Sequence, residues 1–160
     1  MLFQIEEPDG SPIDEPEGPG AAVGIDLTGP HGAVAIAVGG NAEILNARDG
    51  SEGPEVKGLR DGSGAFLAKP TAAALLALRG RAERALARPV THAVVAAEAP
   101  LDEAARQSLT EAAAASELTV TRILTRAEAM ALGAGAASAA HGAAIAAEDD
   151  AFTAQRTSNS

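Results

Sequence analysis

The sequence lacks cysteine and is nearly free of aromatic side chains. Because none of the 160 residues is cysteine, the chain has no disulfide, no thiol nucleophile and no thiolate ligand for a metal. Aromatic residues make up only 2% of the chain. We therefore expect a core of alanine, valine, leucine and isoleucine, in which helices and strands pack close together because few large side chains separate them.

Positive charge is also scarce. The chain has 12 lysines and arginines against 22 acidic residues, a formal net charge of −10. This balance disfavours a nucleic-acid partner, because proteins that bind nucleic acid cluster basic residues on one surface. The three histidines, His31, His92 and His141, show no spacing typical of metal ligands, so we predict no metal site.

No stretch of the chain is apolar enough for a membrane helix. The longest candidate, residues 131–150, consists mostly of alanine and glycine, which contribute little to insertion. A helix packed closely on a sheet explains it better. Residues 1–20 contain four prolines and six acidic residues without the apolar run of a signal peptide, so we expect a flexible acidic head on a cytoplasmic protein.

The first ordered region is predicted to be a β-meander. Residues 22–27 and 33–38 are short apolar runs typical of strands. The sequence GGN at positions 39–41 predicts a tight hairpin, because these residues accept positive φ at low cost.

An aspartate and a glycine-containing loop follow the first of these strands. Asp26 ends the strand and is followed by Thr28, Gly29, Pro30, His31 and Gly32. Several phosphate-binding folds begin with a carboxylate beside backbone amides that glycine leaves accessible. Asp26, Thr28, Gly29 and Gly32 are therefore candidate residues of a phosphate loop.

Helices and strands alternate through the rest of the chain. The patterns predict a helix over residues 69–87, a buried strand over 90–97, a helix capped by Asp102, a strand over 118–124 and a helix that begins with a capping box at Thr125 and Glu128. Arg79, Arg81, Arg84 and Arg88 lie on the first of these helices or just after it. Interleaved Glu83 favours a solvated helix face over a phosphate site.

The stretch GIDLTGPHGAVAIAVGGNAEIL, residues 24–45, resembles the opening of the heat shock protein 70 family, the DnaK-type chaperones. The family's first phosphate loop is G-I-D-L-G-T-T-N-S, and residues 24–27 match it. Thr28, Gly29 and Pro30 replace the family's Gly-Thr-Thr, whose side chains and amides touch nucleotide phosphate. Since proline has no N–H to donate, the loop looks degenerate for ATP.

Three more segments carry the resemblance. Residues 90–135 align without a gap to the family's V-V-I-T-V-P-A-Y-F-D-D-A-Q-R-Q through N-E-P-T-A-A-A. HGAAIAAEDD, residues 141–150, is similar to the last helix of the family's nucleotide domain, A-x-G-A-A-x-Q-A. Leu2, Gln4, Ile5, Glu7 and Pro8 resemble the leader A-L-L-Q-I-S-E-P of the Hsc branch, the chaperones of iron–sulfur cluster assembly.

The resemblance implies an α/β fold, the ribonuclease-H-like half of an actin-like ATPase. Its three-stranded meander is followed by αβαβα, giving a mixed sheet with helices packed on it. We expect residues 21–148 to form a single first-lobe domain that lacks the family's inserted subdomain and second lobe. Residues 1–20 would then be the flexible head and 149–160 a loose tail.

The resemblance also implies that hydrolysis is lost. The family's catalytic lysine belongs to the inserted subdomain, whereas only about 20 residues separate the meander from the next helix here. The second phosphate loop, D-L-G-G-G-T, and the adenine-binding lobe have no counterpart either. We expect no catalytic residue and no cofactor. The alternative is residual binding of ATP with magnesium, in a cleft completed by another subunit.

Two arginines fall on the family's docking positions. The arginine of its interdomain switch falls on Arg106, and the arginine that docks the J-domain co-chaperone falls on Arg122. The family's switch proline falls on Glu98 and its coupling glutamate falls on Arg126, a reversal of charge. The resemblance therefore implies a chaperone-related interaction or regulatory module that is inactive as an ATPase.

The partner that the resemblance implies is a J-domain co-chaperone, a partner chaperone or an iron–sulfur assembly protein. A homo-oligomer is a further arrangement that the sequence leaves open. Two plainer interpretations also stay open. Arg106 and Arg122 are either docking residues or ordinary exposed arginines near Glu103 and Glu117, and the chain is either a working module or a folded remnant without activity.

Overall fold

Five strands and four helices make up the part of the chain that the structure describes. The structure is a computed structural model, and it describes residues 20–47, 49–98, 100–133 and 138–158. In chain order the elements are β1 (Ala21–Asp26), β2 (Ala33–Val38), β3 (Asn41–Ile44), α1 (Ala68–Leu86), β4 (Val90–Ala97), α2 (Glu103–Ala115), β5 (Thr119–Thr125), α3 (Arg126–Leu132) and α4 (Ala139–Ser158). The predicted α/β class and the meander followed by αβαβα are confirmed.

The strands form one mixed sheet in the order β3-β2-β1-β4-β5. β1, β2 and β3 are antiparallel neighbours, as expected of a meander. β4 runs parallel to β1, and β5 runs parallel to β4. The predicted hairpin between β2 and β3 is present, with Gly39 and Gly40 at φ of 61° and 84°. Glycine suits both positions because positive φ strains other residues.

One side of the sheet is packed with large aliphatic side chains, and we call it the aliphatic face. It is covered by α1 and α2, which meet each other across the core. Leu75 and Leu78 of α1 and Leu109 of α2 are completely buried there. They pack on strand residues that are buried as fully, namely Val23, Ile25, Val34, Val90 and Val95. Periodicity made this face predictable.

The other side, which we call the alanine face, is built almost entirely from small residues. It is covered by α4, with α3 packed beside it. Buried alanines meet from both partners: Ala35, Ala37 and Ala96 on the strands, and Ala140, Ala143, Ala144 and Ala147 on α4. At Gly24 the helix comes so close that an added Cβ would overlap the backbone of Ala144.

Two helix starts and one turn are held by side-chain hydrogen bonds. The Asp102 carboxylate accepts from the amide of Ala105 at 2.8 Å, which confirms the predicted cap of α2. Thr125 and Glu128 form the predicted capping box of α3. Glu148 of α4 accepts from the amides of Gly39 and Gly40 at 2.6 and 2.9 Å, so its carboxylate ties α4 to the β2–β3 turn.

The C-terminal boundary differs from the expected one. α4 continues to Ser158, so residues 149–158 are helical instead of forming a loose tail. Asp150 accepts hydrogen bonds from Arg122 and Thr121 of β5, which holds the helix against the sheet beyond position 148. The predicted head lies, apart from Gly20, outside the described residues.

Candidate functional site

The carboxylate of Asp26 lies at the end of β1, where its side chain is buried with 7% of its surface exposed. Its Oδ1 atom accepts two hydrogen bonds from Thr28, one from the backbone amide at 2.7 Å and one from the hydroxyl at 2.6 Å. This oxygen therefore has its hydrogen-bond partners locally, in the residue that begins the loop. A buried carboxylate needs such donors because desolvation otherwise penalises its charged form.

The other oxygen of the same carboxylate is held by Ser138, a residue that sequence patterns did not single out. The Ser138 hydroxyl donates to Asp26 Oδ2 at 3.2 Å and accepts from the amide of Ala140 at 3.1 Å, at the start of α4. A serine before an alanine-rich helix is a typical capping residue. Sequence patterns indicated neither this role of Ser138 nor its contact with Asp26, which is 112 positions away in the sequence.

The loop after Asp26 is closed by a second segment, residues 52–56. The amide of Gly32 donates to the carbonyl of Pro54 at 2.7 Å, and the amide of Val56 donates to the carbonyl of Pro30 at 3.0 Å. The ring of His31 lies between two further acceptors, the carbonyl of Gly53 at 2.9 Å from Nδ1 and the carboxylate of Glu52 at 3.0 Å from Nε2. The loop thus packs against its own chain.

Few amides of this loop are free to bind a phosphate. Thr28 and Gly32 donate to acceptors within the protein, and Pro30 has no N–H. Within the described part of the chain, the amides of Gly29 and His31 donate to no acceptor. A phosphate nest needs several successive amides that converge on one point. The structure therefore places the predicted loop residues close together, but the amides of Thr28 and Gly32 are already used by hydrogen bonds within the protein.

Arg106 and Arg122 lie on opposite sides of the sheet. Arg106 is exposed on α2, which covers the aliphatic face. Arg122 lies on β5, and its guanidinium donates to Asp150 of α4, on the alanine face. The two arginines are therefore separate sites instead of one patch, and Arg122 is the one that already holds a carboxylate.

A groove of about 450 Å³ runs between α1 and the connection from β3, residues 47–54. Leu76, Ala77 and Gly80 line it from the helix, together with Arg81 and Arg84. Arg81 donates to the carbonyls of Ser51 and Glu52 at 3.3 and 3.2 Å, which fixes this wall of the groove. The sequence pattern indicated only a solvated face for these arginines. The groove was not predictable, because the 47–54 connection has no periodic pattern.

The wall opposite the helix carries an aspartate with a perturbed titration. Hydrogen bonds from Ser51 hold the pKa of Asp49 below its ordinary value, and the nearby charge of Arg81 acts in the same direction. The connection thus keeps a negative charge next to the arginine that anchors it.

Neither a metal cluster nor a membrane segment is found among the described residues. No three His, Asp or Glu side chains in residues 20–47, 49–98, 100–133 and 138–158 are grouped to hold a metal ion. No helix within those ranges has the length and hydropathy to span a bilayer.

Comparison with known proteins places most of this fold in one family. The family model described as Hsp70 protein matches residues 51–149, more than half of the chain. The match covers α1 to α3 and much of α4, with Arg106, Arg122 and Ser138, and it begins after the loop of Asp26. None of the curated proteins matches the chain.

Proposed function

Because the chain belongs to the Hsp70 family, we propose that it is a chaperone-related interaction module that does not hydrolyse ATP. The observation that carries the proposal is the self-bonded phosphate loop. Both oxygens of the Asp26 carboxylate accept from side chains of the protein, and residues 52–56 close the loop behind it. A nucleotide would have to break these contacts, and hydrolysis would also need groups on both sides of a water-excluded cleft.

The proposed partner is a protein that presents a carboxylate to Arg122. A guanidinium on an edge strand offers several donors in a plane, which suits bidentate binding of a carboxylate. In the free protein Asp150 holds this position, so a partner's acid would replace Asp150. Arg106, on the other side of the sheet, would make a second and independent contact.

A J-domain co-chaperone is the partner that we propose for Arg122, with a partner chaperone or an iron–sulfur assembly protein as the related choices. The family membership favours a chaperone-type partner. The resemblance of residues 2–8 to the Hsc leader favours iron–sulfur assembly in the cytoplasm, although those residues lie outside the described ranges. We propose no cofactor.

A J-domain titration followed by amide NMR tests the docking proposal. We expect shifts at residues around Arg122 and a weaker affinity for Arg122→Ala. Asp150→Ala removes the internal competitor, so it should bind more tightly than the natural chain, whereas Asp149→Ala, the same change one residue earlier, should not. Unperturbed amides around Arg122, or equal affinities for Asp150→Ala and Asp149→Ala, would argue against this site.

Calorimetry with millimolar ATP and magnesium tests the loop. We expect no saturable heat from the natural chain. The alternative function is residual nucleotide binding in a cleft completed by another subunit. It is favoured by the amides of Gly29 and His31, for which the described residues provide no acceptor. A saturable heat that Thr28→Ala abolishes, while the variant keeps its folded spectrum, would support that alternative and overturn the interaction-only proposal.

A further inference from the structure

Positive charge in this acidic chain is concentrated on one helix. Five of the basic residues lie on α1 or directly after it, against one acid, Glu83. They are Lys69, Arg79, Arg81, Arg84 and Arg88. The chain as a whole has a formal charge of −10. This helix is thus the place where an acidic ligand would be attracted most strongly.

Two of these arginines are committed to contacts within the protein. Arg79 donates to Glu83 at 3.2 Å and to the carbonyl of Ser116 at 2.9 Å, and Arg81 donates to the 47–54 connection. Arg84 and Arg88 are exposed, and within the described ranges neither lies within ion-pair distance of a carboxylate. Their charge is therefore available at the surface.

The groove beside these arginines has an apolar wall. Leu76, in the middle of α1, is 53% exposed there, and Ala77 and Gly80 continue the same wall. An occupant with both acidic and apolar side chains would bury Leu76 and pair with Arg84. A purely acidic ligand would leave the apolar wall exposed to water.

Residues 1–19 combine acidic and apolar side chains, as such an occupant would need to. They contain six acidic side chains and no basic one, and their apolar side chains are Leu2, Phe3, Ile5 and Ile13, with the initial methionine. The segment joins the described chain near the C-terminal end of α1, because the amide of Ala21 donates to the carbonyl of Pro89, three residues beyond the helix. From Leu86 back to Leu76 the helix is about 15 Å long, a distance that about five extended residues can cover.

We propose that the acidic segment 1–19 docks along the outer face of α1, with its carboxylates on Arg84 and Arg88 and its apolar side chains in the groove at Leu76. The contact is intramolecular, so its effective concentration is high even if each ion pair is weak. An acidic partner protein would have to displace this segment before it could bind α1. This contact goes beyond the proposed function, since it involves neither Arg122 nor the phosphate loop.

The absence of cysteine makes a direct test simple. A single Ser11→Cys substitution carries a nitroxide spin label, which broadens amide NMR signals of residues near it. We expect loss of peak intensity along residues 76–88. The loss should shrink in about 1 M salt, where the Debye length falls to about 3 Å and charge attraction is screened.

Charge reversal identifies the contact. Arg84→Glu together with Arg88→Glu should restore the intensities at residues 76–88. Arg126→Glu reverses one exposed charge on α3, across the sheet, and should leave the broadening unchanged. Broadening confined to other elements, or broadening of 76–88 that survives the double reversal, would overturn the proposal.

A mixing experiment separates this contact from one between two copies. Isotope-labelled protein without the spin label is mixed with spin-labelled protein that carries no isotope. We expect no broadening in the mixture, because an intramolecular contact cannot transfer between molecules. Broadening at 76–88 in the mixture would assign the groove to a second copy of the chain and overturn the intramolecular proposal.

Discussion

The two faces of the sheet are packed in different ways, one by large side chains and the other by close contact between backbones. On the aliphatic face, α1 and α2 fill the space with leucine, isoleucine and valine. On the alanine face, α4 has almost no side-chain volume to offer and instead brings its backbone against Gly24. A face filled by side chains can adjust through rotamers, whereas a face made by backbone contact cannot. We therefore expect added volume to destabilise the alanine face most, and removed volume to destabilise the aliphatic face most.

The largest effect should come from adding volume to the alanine face. Gly24→Val would place a branched side chain where the backbone of Ala144 lies, so α4 would have to move away from β1. We expect the free energy of unfolding to fall by about 4 kcal/mol or more. This is above the usual range for overpacking, because the added side chain would overlap backbone atoms of α4 instead of a movable side chain. Chemical denaturation measures it.

A matched glycine supplies the control for this prediction. Gly62→Ala should change stability by less than about 0.5 kcal/mol, since an added Cβ there meets nothing within 4 Å. If Gly24→Val yields no folded protein, Gly24→Ala gives the same comparison with a smaller side chain. A Gly24→Ala protein as stable as Gly62→Ala would show that α4 is not seated this closely.

Removing volume from the aliphatic face should have the next largest effect. Leu78 is completely buried between α1 and the sheet, so Leu78→Ala should cost about 3 kcal/mol through lost burial and the cavity it leaves. Leu78→Met should cost less than about 1.5 kcal/mol, because the volume is nearly kept. The exposed neighbour Leu76 is the control for truncation, and equal losses at both leucines would contradict the assignment of the core.

The smallest effect concerns the polar contact at the margin of the alanine face. Glu148→Gln keeps the shape of the side chain but removes the charge that accepts from the amides of Gly39 and Gly40. We expect a loss of about 1 kcal/mol, since the contact is exposed. Asp149→Asn removes an equal charge from the next residue and should change stability little. Equal effects at positions 148 and 149 would mean that the hydrogen bonds of Glu148 contribute nothing to stability.

The difference between the faces also explains what the sequence could predict. Leucines at helical spacing indicated the buried side of α1, and β-branched runs marked β1, β2 and β4, so the aliphatic face was legible. Alanine is equally common on buried and exposed sides of a helix, so the pattern carries no signal for the end of α4. The predicted boundary at position 148 lies ten residues before the observed end at Ser158. The capping box of α3 was predictable because its two residues, Thr125 and Glu128, are close in the sequence.

The candidate site was only half predictable for a related reason. Asp26 and its loop were recognisable from a strand followed by glycines. The groups that occupy them come from far along the chain: Ser138 from the start of α4, and the carbonyls of Gly53 and Pro54 from a connection without periodicity. No pattern within either segment indicates that it packs on the loop, so its closure became visible only in three dimensions.

The position of α4 also has a consequence for how the chain folds. This helix contacts β1, β2, β3, β4 and β5, yet it is the last described element in the sequence. The hydrogen bond from the Gly39 amide to Glu148 joins residues 109 positions apart. Such distant contacts slow folding, because a long loop must close first. During synthesis the strands emerge from the ribosome with one face uncovered, and that face stays exposed to chaperones and to aggregation until residues near 150 have followed.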